Sequence, residues 1–304
     1  MTGQHTPRSL IVTFYGAYGR GGAGRPAGPV PIAALIRLLG AVGVDAPSVR
    51  SAVSRLKRRG LLVPDRTDAG AAGYALSEDA RQLLDDGDRR IYGRPGAGHG
   101  TGQAAGGWLL AVFSVPEQER NKRHLLRSRL ARLGFGTAAP GVWIAPDHLY
   151  EETRHTLARL ELSSYVDLFR GAHAGFEPTA RSVRRWWDLD ELATLHRAFL
   201  DAREPVLERW TGGGAPESGT PESGTPESGT PDLGTLDPED AYRDYVLALD
   251  SWRFLPYADP GLPTALLPRD WPGIRAAEVF AALHDRLYDA GAGYVREVLS
   301  TTRA

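Results

Sequence analysis

Between Val30 and Leu76 the chain runs through a succession that few folds can use: apolar helix, glycine turn, basic helix, strand, polar tip, strand. The first segment, Val30-Pro31-Ile32-Ala33-Ala34-Leu35-Ile36-Arg37-Leu38-Leu39, leads into Gly40-Ala41-Val42-Gly43. A second helix is predicted from Pro47 to Arg59, stopped by Gly60. A strand-like run, Leu61-Leu62-Val63, follows, then a polar tip from Pro64 to Gly73 and a short return, Tyr74-Ala75-Leu76. At about 100° per residue, Val49, Val53 and Leu56 share one side of the second helix, the spacing of a buried stripe. The opposite side carries Pro47, Ser51, Ser54, Arg55 and Arg58, flanked by Arg50 and Lys57. No acid interrupts residues 46 to 64, and Asp45 stands at the helix mouth as a predicted N-cap.

This order is that of a winged helix-turn-helix, which lays its second helix in a DNA groove. Small hydroxyls allow close approach to a duplex, and arginines fork onto guanine edges or phosphate oxygens. The candidate DNA contacts are therefore Ser48, Arg50, Ser51, Ser54, Arg55, Lys57 and Arg58, with Arg66 near the tip of the ribbon reaching a neighbouring groove or backbone. A basic helix face is in most proteins only a solvated surface. Arginine is also abundant throughout this chain, whose only lysines are Lys57 and Lys122. The conjunction of two helices, a glycine turn and a ribbon in that order decides for DNA.

Totals narrow the reading further. With 36 Lys+Arg against 37 Asp+Glu the net charge is −1, so no global cationic field draws the chain to nucleic acid. Affinity for DNA has to come from a local patch. At 304 residues the chain has room for two or three domains of roughly 100–200 residues each. Hydrophobic and charged contents of 42% and 24% are those of an ordinary soluble globular protein. The absence of cysteine excludes disulfides and thiolate metal sites and fits a cytoplasmic protein. No apolar run approaches the roughly 18 residues of a membrane helix. Arg8 before Leu10-Ile11-Val12-Thr13-Phe14-Tyr15 faintly imitates a secretion signal, but it lacks a convincing small-x-small cleavage site and runs directly into the DNA module. That run reads as the first element of the DNA module.

After the ribbon a helix is predicted from Ser77, a plausible cap, to Tyr92, and residues 93–107 form a glycine-rich linker. Trp108 to Val115 reads as a central strand. A charged helix over 117–133 keeps Leu125, Leu126, Leu130 and Leu133 inward and ends at Gly134. Two short strands, Phe135-Gly136 and Val142 to Ala145, a helix over 148–161 and a strand from Ser164 to Phe169 complete a β-α-β-β-α-β block, the ferredoxin-like order. Asp188 and Glu191 are spaced as a capping box for a helix reaching about Trp210. The Thr-Pro-Glu-Ser-Gly repeat that follows is rich in proline, glycine and acids and cannot bury a core. Asp237-Pro238 restarts a helix, and a last one spans roughly 273–299. The expected fold is thus α+β: a winged helix-turn-helix domain over 1–92, the linker, a ferredoxin-like domain over 108–175, and a helical domain over 176–304 with a disordered loop at 211–236.

Taken together the chain resembles the PaaX-type family of transcriptional repressors of phenylacetic acid degradation along nearly its whole length. The resemblance is carried by Arg8 to Thr13, Val49 to Leu56, Arg89-Arg90-Ile91-Tyr92, and Leu133-Gly134-Phe135-Gly136 with Ala139-Pro140-Gly141-Val142-Trp143. Trp252-Arg253, Asp259-Pro260-Gly261-Leu262-Pro263 and Leu266 to Gly273 match the C-terminal signature. The resemblance implies a dimeric repressor whose central domain is Cas2-like. It also implies release from the operator by an aryl acyl-CoA thioester such as phenylacetyl-CoA. The chain departs from the family pattern in a glycine-rich insert at 19–28 and in the repeat loop, both between elements.

A Cas2-like block raises a metal-dependent nuclease as the alternative, and a dimeric scaffold that binds no DNA is another. Such nucleases hold their metal with an aspartate near the end of the first strand; residues 108–115 contain none, and Ser114 cannot replace a carboxylate on a hard cation. Gly19-Arg20-Gly21-Gly22-Ala23-Gly24 matches a dinucleotide fingerprint, but Pro26, Pro29 and Pro31 forbid the helix that motif requires. The histidines show no metalloprotease spacing; His148 and His155 lie about two turns apart without carboxylate partners in pattern, and no G-x-S-x-G elbow occurs. No enzyme activity, metal or cofactor is expected. Arg184, Arg185, Trp187, Trp252 and Arg253 combine cations with aromatic faces, as an acyl-CoA pocket requires. The simpler explanation is that these tryptophans anchor helices while the arginines reach outward.

Overall fold

The computed structural model describes residues 5–21, 28–67, 70–93, 107–212 and 237–302. In chain order its elements are α1 (Pro7–Tyr18), β1 (Val30–Pro31), α2 (Ile32–Ala41), α3 (Ala46–Arg58), β2 (Leu62–Arg66), β3 (Ala72–Leu76) and α4 (Glu78–Ile91). Then come β4 (Trp108–Phe113), α5 (Arg120–Arg132), β5 (Gly136–Ala139), β6 (Val142–Pro146), α6 (Tyr150–Arg159) and β7 (Val166–Gly171). The last five are α7 (Thr179–Trp186), α8 (Leu189–Thr211), α9 (Pro238–Trp252), α10 (Leu255–Ala258) and α11 (Pro272–Thr301). The glycine-rich insert from residue 22, most of the linker and the Thr-Pro-Glu-Ser-Gly loop lie outside the described residues.

The chain divides into two compact units, Met1–Asp88 with Leu200–Ser251 and Val279–Ala304, and Arg89–Phe199 with Trp252–Glu278. This division does not follow the chain order of the expected segments, and α1 explains why. Capped by the Thr6 hydroxyl and opened by Pro7, α1 buries Leu10, Ile11, Thr13, Phe14, Tyr15, Ala17 and Tyr18, more than one face of a helix. One side meets α3. On another, the Tyr18 ring lies 5.9 Å from Tyr242, 6.0 Å from Tyr245 and 5.3 Å from Tyr288, stacked on the last. Helices from the far end of the chain therefore complete the first unit.

In that unit β1, β3 and β2 form an antiparallel sheet in the order β1-β3-β2. Val30-Pro31, expected to open the first apolar helix, instead pairs with Tyr74 and Gly73. Proline drives the residue before it towards the extended region, and Pro31 itself sits at φ −58°, ψ 144°, so α2 starts only at Ile32.

The second unit is built on a sheet of order β5-β6-β4-β7, every neighbouring pair antiparallel. Successive strand residues point to opposite faces. Leu109, Ala111, Trp143 and Ala145 face a core with Leu126 and Leu130 of α5 and Leu157 of α6. Trp108 and Ile144 face a second core with Val183 of α7, Trp187, Leu189, Leu262 and Trp271. The expected elements include no helix at α7, whose last turn carries Arg184 and Arg185.

Candidate nucleic-acid interface

The turn between α2 and α3 is fixed by its own backbone. Gly43 adopts φ +84°. Its N–H donates to the Gly40 carbonyl at 2.9 Å, and that of Val44 to the Leu39 carbonyl at 3.0 Å. Asp45 then caps α3, accepting from the Ser48 N–H at 2.9 Å and from the Ser48 hydroxyl at 2.8 Å. These two bonds hold the Asp45 carboxyl below the usual carboxylate range, so its charge faces the positive end of the helix. Ser48, a candidate DNA contact from the sequence, spends its hydroxyl proton on this cap.

Val49, Ala52, Val53 and Leu56 are buried against α1 and α2. Arg50, Ser51, Ser54, Arg55, Lys57 and Arg58 are all exposed. None of the four cations has a carboxylate partner among the described residues. That sets them apart from Arg20, held by Asp85 and Asp88, Arg90, held by Glu152, and Arg209, held by Asp244. The face is an acid-free strip of unpaired guanidinium and ammonium groups interleaved with two small hydroxyls. Its cations gather at the C-terminal end, where the helix dipole favours them.

Gly60 ends the helix at φ +69°, with the Leu61 N–H returning to the Leu56 carbonyl at 3.0 Å. A Cβ on Gly60 would meet nothing within 4 Å, so only the backbone opposes substitution. Gly60→Ala is expected to cost about 1–2 kcal/mol, the left-handed penalty for an L-residue, read as a lower midpoint in urea unfolding.

On the hairpin, Arg66 is exposed and its guanidinium donates to the Gly70 carbonyl at 2.9 Å, which folds it back along the ribbon. Residues 68 and 69 at the tip lie outside the described residues. The hairpin is tied to α1 by the Tyr15 hydroxyl, which donates to the Tyr74 carbonyl at 2.7 Å. Burial pushes the Tyr15 phenol far above its ordinary value, so it stays a donor.

What sets α1 in place was not among the residues marked by the sequence. Asp250 of α9, only 3% exposed, accepts from Ser9 Oγ at 2.6 Å, Thr13 Oγ1 at 2.7 Å and His5 Nδ1 at 2.9 Å. Arg203 donates to His5 Nε2 at 3.0 Å and also reaches the Leu247 carbonyl and Ser251 Oγ. Since Nε2 accepts, His5 carries its proton on Nδ1 and donates it to Asp250. Ser9 and Thr13, two hydroxyls one turn apart on a helix that otherwise buries apolar and aromatic residues, are the available signal.

The candidate ligand residues are placed in two locations. Arg184, Arg185 and Trp187 line a concavity of about 410 Å³ together with Asp188 and Asp190. There the buried Trp187 indole donates to the Gly134 carbonyl at 2.9 Å, and Arg185 pairs with Glu177 at 3.2 Å. Trp252 and Arg253 do not line that concavity. Trp252 is buried, donates to the Ile91 carbonyl at 2.9 Å and packs on Phe199, while Arg253 lies over the Phe254 ring. Ser114 directly follows β4, with its N–H bonded to the Tyr165 carbonyl. Among the described residues no three His, Asp or Glu side chains gather as a metal site, and no helix is long and apolar enough to cross a membrane.

Three family models match the chain. Residues 6–80 match the one described as PaaX-like protein, residues 101–183 the PaaX protein central Cas2-like domain, and residues 228–297 the PaaX-like protein C-terminal domain. The transcriptional repressor PaaX of Escherichia coli (strain K12) is 23% identical over 295 residues, covering 95% of this chain and 83% of that protein. Among solved structures, an uncharacterized protein from Mycobacterium tuberculosis aligns with a TM-score of 0.55 at 21% identity, over 98% of this chain and 99% of that one.

Proposed function

The chain belongs to the PaaX family, and on that premise we propose that it is a repressor of transcription that reads a specific DNA sequence through α3. The unpaired, acid-free face of Arg50, Ser51, Ser54, Arg55, Lys57 and Arg58 carries this reading, with the named repressor relative in support. The α2-turn-α3 geometry with the β2–β3 hairpin favours a winged helix-turn-helix, Arg66 lying on the wing. Ser48 serves the helix through its cap. The four-stranded order and the β-α-β-β-α-β succession favour a ferredoxin-like central domain. That domain acts as a scaffold rather than a nuclease, because β4 itself carries no carboxylate and runs out into Ser114. Neither enzyme activity nor a cofactor is part of the proposal.

The protein acts as a cytoplasmic homodimer that sets two α3 helices in successive major grooves, about 34 Å apart or a multiple. An aromatic effector, phenylacetyl-CoA or another aryl acyl-CoA, releases it from an operon of aromatic catabolism. Such an effector has to prefer the DNA-incompetent state, since equal affinity for both shifts nothing. Footprinting of the DNA upstream of the chain's own gene tests the proposal. The expected result is a protected, partly palindromic site that the thioester releases. Protection that ignores sequence would reject it.

A further inference from the structure

The central unit holds a second, larger concavity, of about 630 Å³, between α5 and the turn joining β5 to β6. Its volume lies in the range of about 300–1,000 Å³ usual for small-molecule sites. The wall is apolar and aromatic, formed by Phe113, Val115, Pro140 and Trp143, and the polar side belongs to α5, which brings Arg123 and Arg127. These two lie four residues apart and so share one helix face. Arg123 is fixed: it donates to the Val115 carbonyl at 2.8 Å and meets Glu117 at 3.0 Å. Arg127 is exposed and has no partner among the described residues. No acid occurs in α5 from Arg120 to Arg132.

We propose that this concavity binds an organic anion with a flat apolar body, its charge on Arg127 and its body against Trp143, Phe113 and Pro140. Each half of the wall argues against a different occupant. Two cations and no lining carboxylate repel a metal ion. A DNA phosphate would satisfy Arg127 but leave the aromatic wall without a partner. An aryl carboxylate or an aryl thioester with a phosphorylated carrier meets both halves, through a charge-assisted bond and buried aromatic area. The Ser114 hydroxyl, also on the wall, offers a neutral hydrogen bond beside the charge. The regulatory consequence rests on the repressor reading: a ligand here would be the effector. The site itself does not include the residues at Arg184 to Trp187.

Calorimetry on the full chain with phenylacetate, phenylacetyl-CoA and coenzyme A alone tests the site. Operator binding is measured on the same ligand-free samples. Binding of an aromatic probe is expected, weakened about tenfold or more by Arg127→Glu. Ala139→Trp, which fills the concavity from the exposed end of β5, should weaken it as much. Arg132→Glu, on the same helix but outside the concavity, should leave it within about twofold. The two aromatic probes separate a free carboxylate from a phosphorylated carrier as the anion. Three results would overturn the site: no heat with either aromatic probe, coenzyme A binding as tightly as its aryl thioester, or Arg127→Glu and Ala139→Trp binding like the unaltered chain. Ligand-free protein that fails to bind any operator would instead remove the repressor reading, whatever the calorimetry shows.

Discussion

Replacing Arg55 and Arg58 together with alanine is expected to weaken operator binding by about 2–6 kcal/mol, roughly one and a half to four orders of magnitude. Both side chains are exposed and without partners among the described residues, so folding should change by no more than about 0.5 kcal/mol. The affinity change is then a property of the interface and not of stability. Testing each arginine alone against operators with single base changes separates their roles. A base contact, once lost, relaxes specificity at one position; a phosphate contact, once lost, weakens all sequences alike and lowers the salt dependence by about one unit. Unchanged affinity in the double variant would mean that α3 is not the reading helix.

The second large effect is on stability. Asp250→Ala is expected to destabilise the protein by about 3–5 kcal/mol in urea unfolding, a large part of the roughly 5–15 kcal/mol available to a domain. The change removes one acceptor and leaves three donors, Ser9 Oγ, Thr13 Oγ1 and His5 Nδ1, around a position only 3% exposed. Because α1 is the floor on which α3 rests, operator binding should fall with the folded fraction. Asp250→Asn keeps an acceptor oxygen and should cost less. A loss below about 1 kcal/mol for Asp250→Ala would show that packing alone, chiefly the tyrosines around Tyr18, positions α1.

The contrast between these two sites shows what local sequence conveys. The exposed basic face of α3 is legible because everything that shapes it is local: a 3.6-residue apolar stripe, Asp45 three residues before Ser48, and glycines at the two positions of positive φ. The same local pattern misplaces Val30-Pro31, because apolar content points to a helix where the conformational restriction of proline dictates an extended pair. The Asp250 cluster joins residues about 245 positions apart, and no periodicity records such a pairing. For the same reason, nothing in the pattern says that α9 and α11 cover α1. Trp187 and Trp252 combine with arginines in the sequence as a ligand site would, but the simpler reading as anchors matches both indoles donating to backbone carbonyls. Arg123 and Arg127 pass in the sequence for the solvated side of a charged helix. Only the placement of the β5–β6 turn beside them reveals an apolar wall.

The most direct test is fluorescence anisotropy of the unaltered full chain on its footprinted operator and on a scrambled duplex, from low to moderate salt. Four unpaired cations on α3 should give a linear fall of log affinity with log salt, of slope about −4 or steeper, each neutralised phosphate contributing about −0.9. The operator should bind about 10³-fold or more tighter than the scramble at physiological salt. Affinity that ignores salt, or equal binding to both duplexes, would contradict a sequence-reading role for that helix.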